Sequence, residues 1–276
     1  VYIPNQGRLS VDLDFNAVGA REEILEERTQ FSQRVMEVLG DQDSDYDFSY
    51  RWRYDQATVY ARYRPLTGIA QQRLKVEISF IERFPILERA APALSLPLFD
   101  EPVVINTYQL EELTSTKLRA LYDRRKGRDI YDLFRIAALE LNQTAVRKMV
   151  LYYFYRANKV FQPSAFIENV EQKIADRSFG DDVRGLIRHD DIVDWSAACQ
   201  QVLAAYAFLG ELDDRDLLFL DLAKYLLNKP YPKANEKTIM GIKRPLAWLM
   251  QDIPISEEAA AKTQADLRIH LPDDDA

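Results

Sequence analysis

The chain has 276 residues, 47% of them hydrophobic, with 36 Lys and Arg against 44 Asp and Glu and a formal net charge of −8. That length suffices for one large or two smaller domains with a proper core, and the acidic balance excludes a surface that binds nucleic acid indiscriminately, because such binding is driven by phosphate neutralisation. One cysteine, Cys199, excludes an intrachain disulfide framework, and with no apolar run long enough for a membrane span and no signal-like start the expected location is the cytoplasm.

Residues 8 to 16, Arg-Leu-Ser-Val-Asp-Leu-Asp-Phe-Asn, alternate as a strand does. Leu9, Val11, Leu13 and Phe15 take one face, and Arg8, Ser10, Asp12, Asp14 and Asn16 take the other. Side chains two apart on a strand are about 7 Å apart at their bases, so Asp12 and Asp14 repel each other unless a cation sits between them. A hard divalent ion such as Mg²⁺ suits these oxygens and keeps positions open for phosphate and water. Asp-x-Asp on a strand therefore points to metal-assisted phosphoryl or nucleotidyl transfer, although it also describes the solvated face of an edge strand. Ser10 shares the acidic face and is a candidate phosphate ligand or a structural hydroxyl.

A helix is predicted over 22–39, with Ile24, Leu25, Phe31, Val35, Val38 and Leu39 on its core stripe and Gly40 as the stop. Strands are predicted over 46–54 and 57–64 around an Asp55-Gln56 turn. Arg51, Arg53, Arg62, Arg64 and Arg73, interleaved with Trp52, Tyr54, Tyr60 and Tyr63, could hold RNA or a triphosphate, or could simply be the wet face of a sheet.

The next strand, 73–80, turns Leu74, Val76, Ile78 and Phe80 inward and leaves Lys75 and Glu77 on the polar face. Beside the first strand, Glu77 would complete a three-carboxylate cluster able to hold two metal ions, with Lys75 offsetting charge or meeting a phosphate; a surface ion pair is the other reading. Pro85, Pro92, Pro97 and Pro102 then break 84–102 into a lid-like connector ahead of a short strand at 103–106.

From Tyr108 the pattern is helical, over 108–124, 129–141, 145–161, 163–176, 181–188, 190–209 and 213–228. Early acids such as Asp190, Asp191, Asp213 and Asp214 complement helix dipoles. Lys117 is a mobile point charge suited to a triphosphate. Asp129, beyond a basic turn at Gly127, can anchor that lysine, hold the basic loop or accept a proton from an attacking hydroxyl; it also suits the dipole of the helix it opens. Tyr152, Tyr153, Phe154 and Tyr155 form a core aromatic run, and Cys199 is a small helix-packing residue. His189 and His270 stand apart, without zinc-ligand spacing or a triad, so no histidine chemistry is expected. A short helix holds Trp248 and Leu249, and the Ala259 stretch with residues 273–275 reads as a solvated tail.

Three of these segments resemble the AbiEii/AbiGii toxin family of nucleotidyltransferases, within the DNA-polymerase-β-like superfamily. Arg8-Leu-Ser-Val-Asp12-Leu-Asp14-Phe looks like the family's metal-binding strand, and Lys75-Val-Glu77-Ile-Ser looks like its second acidic strand. Lys117-Leu-Arg-Ala120-Leu, followed by Arg128-Asp129-Ile-Tyr-Asp132-Leu, is similar to its third motif. With the chain order above, the expected fold is α/β (α+β), a small mixed twisted sheet with flanking helices followed by a helical domain. The expected boundaries are 1–106 for the nucleotidyltransferase core, 107–255 for the helical domain and 256–276 for a polar acidic tail.

The resemblance implies the toxin of a bacterial toxin–antitoxin or abortive-infection system of phage defence. Such a toxin transfers a nucleoside monophosphate from an NTP to an acceptor, here expected to be an RNA such as a tRNA end, and has a cognate antitoxin as partner. It implies two Mg²⁺ ions on Asp12, Asp14 and Glu77, catalytic roles for Asp12, Asp14, Lys117 and Asp129, and nucleotide contacts from Ser10, Lys75, Lys117 and Arg128. The family's Gly-Gly-Thr or Gly-Ser phosphate clamp has no counterpart after Val1, so either residues precede Val1 or the clamp is missing. The alternatives are a small-molecule (antibiotic) nucleotidyltransferase and a catalytically silent nucleotide- or protein-binding module.

Overall fold

The computed structural model describes residues 12–18, 21–40, 46–53, 55–65, 68, 70–80, 84–94, 100–176, 178–183, 185–187, 194–227, 236–242 and 244–266. Ser10, Asp190, Asp191 and residues 273–275 lie outside them. The described residues gather into two compact units that meet in sequence at Phe84 and Pro85.

The first unit holds β1 (Asp12–Asn16), α1 (Arg21–Gly40), β2 (Asp47–Trp52), β3 (Gln56–Tyr63) and β4 (Gln72–Ser79). Its sheet runs β1-β4-β3-β2, with β1 parallel to β4 and the other two pairings antiparallel. A parallel pair needs a long crossover, and α1 with the β2–β3 hairpin supplies it. The result is the expected mixed sheet with flanking helices. Alternation buries Ala57, Val59, Ala61, Val76 and Ile78 on one face, where Ala57, Ile78 and Phe80 pack with Ala17, Phe31 and Trp52.

Apolar alternation does not mean burial throughout this unit, and Val38, expected on the core stripe of α1, is the inward assignment that fails. Leu13 and Phe15 are 44% and 53% exposed, because β1 is an edge strand and α1 packs against β3. Val38 is 65% exposed: the end of α1 turns the side carrying Gly40 toward the Phe48 ring, and Val38 sits about half a turn away. Side chains of Ile24 and Leu25 lie outside the description.

The second unit is helical: α2 (Leu110–Asp123), α3 (Gly127–Ile136), α4 (Gln143–Arg156), α5 (Pro163–Ile174), α6 (Trp195–Ala205), α7 (Asp214–Leu226), α8 (Glu236–Met240), α9 (Pro245–Leu249) and α10 (Glu257–Asp266). A two-stranded ribbon, β5 (Ala93–Leu94) with β6 (Val103–Val104), precedes them. The aromatic run is core as expected, with Tyr152, Tyr153 and Phe154 buried and Phe154 set 5.0 Å from both the Tyr122 and Phe161 rings. Cys199 is fully buried, and burial pushes its thiol up to about 11, which leaves it a packing group. Asp213 caps α7 in a reciprocal box with Asp216, and both acids also bind Arg147 and Lys148 of α4.

Two helical readings need correction. The described part of 181–188 is turn rather than helix, since Gly180 has φ +105° and Asp182 is turned to accept from the Gly127 N–H. The Ala259 stretch is no solvated tail but α10, with Ala259 fully buried and the Ser256 hydroxyl accepting from the Ala259 N–H.

The start of this unit is tied down by a buried acid. Glu112 of α2 is fully buried and accepts from the N–H groups of Ile86 and Leu87 at 2.7 and 2.9 Å and from the Tyr153 hydroxyl at 2.6 Å. Ser256 closes the same segment from the far end of the chain, donating its N–H to the Ile86 carbonyl and its hydroxyl to the Pro85 carbonyl. Glu112→Ala strips partners from two buried N–H groups and a buried hydroxyl, and should cost about 3 kcal/mol by urea denaturation. Tyr153→Phe, losing one of the three bonds, should cost about 1 kcal/mol.

Candidate active site

The register of β1 on β4 builds the acidic cluster. Asp12 lies opposite Lys75 and Asp14 opposite Glu77, so all four side chains leave the same sheet face. The Lys75 ammonium sits 3.3 Å from the Asp12 carboxylate and forms a closer ion pair with Glu77. Thr58, opposite Glu77 on β3, is the buried polar neighbour of this group, and Gln56 beside it donates to the Thr58 hydroxyl.

Negative charge exceeds positive here, and proton affinities respond. Partial burial first, then repulsion from Asp12 and Glu77, raises the Asp14 carboxyl above its ordinary value, with Lys75 opposing. Burial lowers Lys75, but its hydrogen bond to Glu77 and the charges of Glu77 and Asp12 outweigh that, so its net shift is upward. The ammonium is held charged by the acids it separates. Among the described residues, no group of three or more His, Cys, Asp and Glu side chains closes on a single metal point.

The helical unit holds the remaining candidates. Lys117 of α2 donates to the buried Asp132 of α3 at 2.7 Å. Asp129, one turn earlier on α3 and fully buried, accepts from Arg124 through both oxygens, Nε and Nη2 each lying at 2.7 Å. Of the three roles open to Asp129 in the sequence, its contacts realise the holding of the basic loop, and the anchor of Lys117 is Asp132 instead. Both acids face α2 because they are three residues apart on α3. Asp132 stood in the third motif without a role, and that spacing was the available signal. Arg128 lies half-exposed in the first turn of α3.

The basic turn itself is wedged in place. A Cβ on Gly127 would come 2.4 Å from the Gly180 Cα, and one on Gly180 would meet the Trp195 ring at 2.7 Å. Only glycine fits at either position, so backbone and indole stack without side chains between them. Arg125 pairs with Asp176, and the Gly127 N–H bonds Asp182 at 2.8 Å.

Comparison with known proteins adds the following. The family model described as the nucleotidyl transferase AbiEii toxin of type IV toxin–antitoxin systems matches residues 1–204. Among solved structures, the nucleotidyltransferase toxin MenT4 from Mycobacterium tuberculosis H37Rv is similar at a TM-score of 0.60, with 21% identity over 89% of this chain and 80% of that one. JHP933 from Helicobacter pylori is similar at a TM-score of 0.43, with 17% identity over 75% of this chain and 80% of that one. No curated protein matches the sequence.

The shift at Asp14 has a stability consequence. A carboxyl raised in the folded state binds its proton more tightly there than in the unfolded chain, so its contribution falls as pH rises from the ordinary value of 3.8 through the raised one. Asp14→Asn removes that loss. Urea midpoints measured in EDTA should show the variant at least as stable as the parent at pH 7, with the advantage vanishing by pH 3.

Proposed function

The chain belongs to the AbiEii family of nucleotidyltransferase toxins, and from that premise we propose that it transfers a nucleoside monophosphate from an NTP to an RNA acceptor, a tRNA end being the expected form, and that a cognate antitoxin restrains it. The observation that carries this reading is the acidic cluster of Asp12, Asp14 and Glu77, set on one sheet face by the β1–β4 register around the Lys75 ammonium. No described helix is long and apolar enough to cross a membrane.

The donor set suits Mg²⁺ by its chemistry, while as placed its side chains close on no single metal point and Lys75 stands between Asp12 and Glu77. Its oxygens are hard, its charge is in excess, and Asp12 and Glu77 already share a cation in Lys75. Asp12, Asp14 and Glu77 would hold the metal, which when bound supplies neutralisation at the α-phosphate and a lowered pKa at the acceptor hydroxyl. Lys75 can exchange a carboxylate for a phosphate without leaving the face. Lys117 neutralises the triphosphate, oriented by Asp132, while Asp129 acts as a positioning residue that holds the basic loop through Arg124. Ser10 and Arg128 supply further phosphate contacts.

The test is label transfer from an α-³²P-NTP to RNA in Mg²⁺. Asp14→Asn should reduce the rate by about 10² or more, since a metal contact in phosphoryl transfer is worth several kcal/mol. Lys117→Met should raise KM for the NTP, and Asp132→Asn should reproduce part of that effect. Equal rates for the parent and Asp14→Asn would refute the catalytic assignment, and no transfer to any RNA would refute the acceptor class.

A further inference from the structure

The sheet face that carries the acids continues, without interruption in register, into a basic and aromatic surface. From β4 to β2, Glu77 stands opposite Thr58 and Thr58 opposite Arg51; Lys75 stands opposite Tyr60 and Tyr60 opposite Ser49; Arg73 stands opposite Arg62 and Arg62 opposite Asp47. Opposed residues project from the same face, so Arg51, Arg62, Arg73 and Tyr60 share the side of Asp12, Asp14 and Glu77. Strand spacing of about 4.8 Å and a row spacing of about 6.8 Å put these arginines about 10 to 14 Å from Glu77.

We propose that this β2–β3–β4 face is the platform on which a single-stranded segment of the RNA acceptor lies, with Arg51, Arg62 and Arg73 meeting its phosphates and the Arg73–Tyr60 stack meeting a base. The proposal rests on the nucleotidyl-transfer reading and adds the place and the chemistry of acceptor binding. Four observations support it. Arg51, Arg62 and Arg73 are all exposed, and Arg51 has no acidic partner among the described residues. The one acid in the row of Arg62 and Arg73, Asp47, meets Arg62 at 3.7 Å in a solvent-exposed pair of the kind that contributes little and is readily exchanged for a phosphate.

The Arg73 guanidinium lies 4.6 Å from the centroid of the Tyr60 ring, which presents a flat cationic plane suited to a nucleobase. The concentration of arginine is also out of keeping with a chain of net charge −8. Guanidinium forks grip phosphates in pairs of bonds where lysine gives a point charge, and stacking accepts any base. Acid and base thus divide one face, the acids of β1 and β4 suited to cations and the arginines toward β2, β3 and the start of β4 suited to a polyanion. An acidic protein would satisfy the charge but would leave the Arg73–Tyr60 plane without a use.

The experiment measures binding of a fluorescein-labelled single-stranded RNA oligonucleotide to the full chain by anisotropy, in EDTA so that catalysis is silent. The triple variant Arg51→Ala, Arg62→Ala, Arg73→Ala should lose tenfold or more in affinity at 0.15 M salt, and its log K against log salt slope should flatten by about 2, the value for three lost contacts to a single strand. Tyr60→Leu should weaken binding without changing the slope. Replacing the three arginines by lysine should restore the slope but not the full affinity, which rules out misfolding as the cause. NTP binding by calorimetry should be unchanged in the triple variant.

Unaltered RNA affinity in the triple variant would overturn the platform, and so would loss of binding to an acidic polypeptide such as poly-Glu with RNA binding intact. If the parent transfers label and the triple variant binds RNA normally, the platform fails while the transferase reading stands. If RNA binding depends on the arginines but no label moves, the platform stands and the transferase reading fails.

Discussion

The parallel pairing of β1 with β4 is the constraint on which the rest depends. Had the register slipped by one residue, Asp12 and Asp14 would face away from Glu77 and Lys75, and the sheet would have neither an acidic cluster nor a polar face continuous with it. The buried side of β4 fixes its half of that arrangement. Val76 and Ile78 are fixed in the core beside Ala57 and Val59, so Lys75 and Glu77 have to project the other way. Apolar packing on one face thereby positions charge on the other.

The two units treat charge differently. In the helical unit the buried acids meet cations directly or other donors: Asp132 meets Lys117, Asp129 meets Arg124, and Asp216 meets Arg147 and Lys148, which the exposed Asp213 also binds. Matched pairs of this kind fix the alignment of helices and leave nothing over. On the sheet, three carboxylates share one ammonium, and partial burial together with that excess raises the Asp14 carboxyl. A deficit of cation that the fold does not relieve is what a substrate and its counterions can relieve.

Most of the sheet site was legible because strand alternation is a local property. Asp12, Asp14, Lys75 and Glu77 could be assigned to polar faces from their own neighbours, and the hairpin was placed to within a residue, Gln56 opening β3 rather than standing in the turn. What was not legible depended on partners distant in sequence. Leu13 and Phe15 alternate as core residues do, but the position of β1 at the edge decides their exposure. Asp129 and Asp132 offer equal carboxylates to Lys117 and Arg124, and only the packing of α3 on α2 determines which cation meets which acid. The segment 181–188 has helical composition, yet the close approach of Gly127 to Gly180 takes its described part into a turn. The Ala259 stretch, which lies within α10, reads as a tail because nothing local reveals that Ser256 returns to Pro85.

That return has a kinetic meaning. The hydroxyl of Ser256 reaches a carbonyl 171 residues earlier, so the first segment of the helical unit is sealed by nearly its last. Closing so long a loop costs chain entropy before any contact repays it, and topologies rich in such closures fold slowly. On a ribosome the strands of the first unit emerge complete long before residue 256 does. The helical unit must therefore wait for its last helix before the carbonyls of Pro85 and Ile86 find these partners, and a message cut short before that serine yields a sheet with its acids in place and a bundle left unsealed.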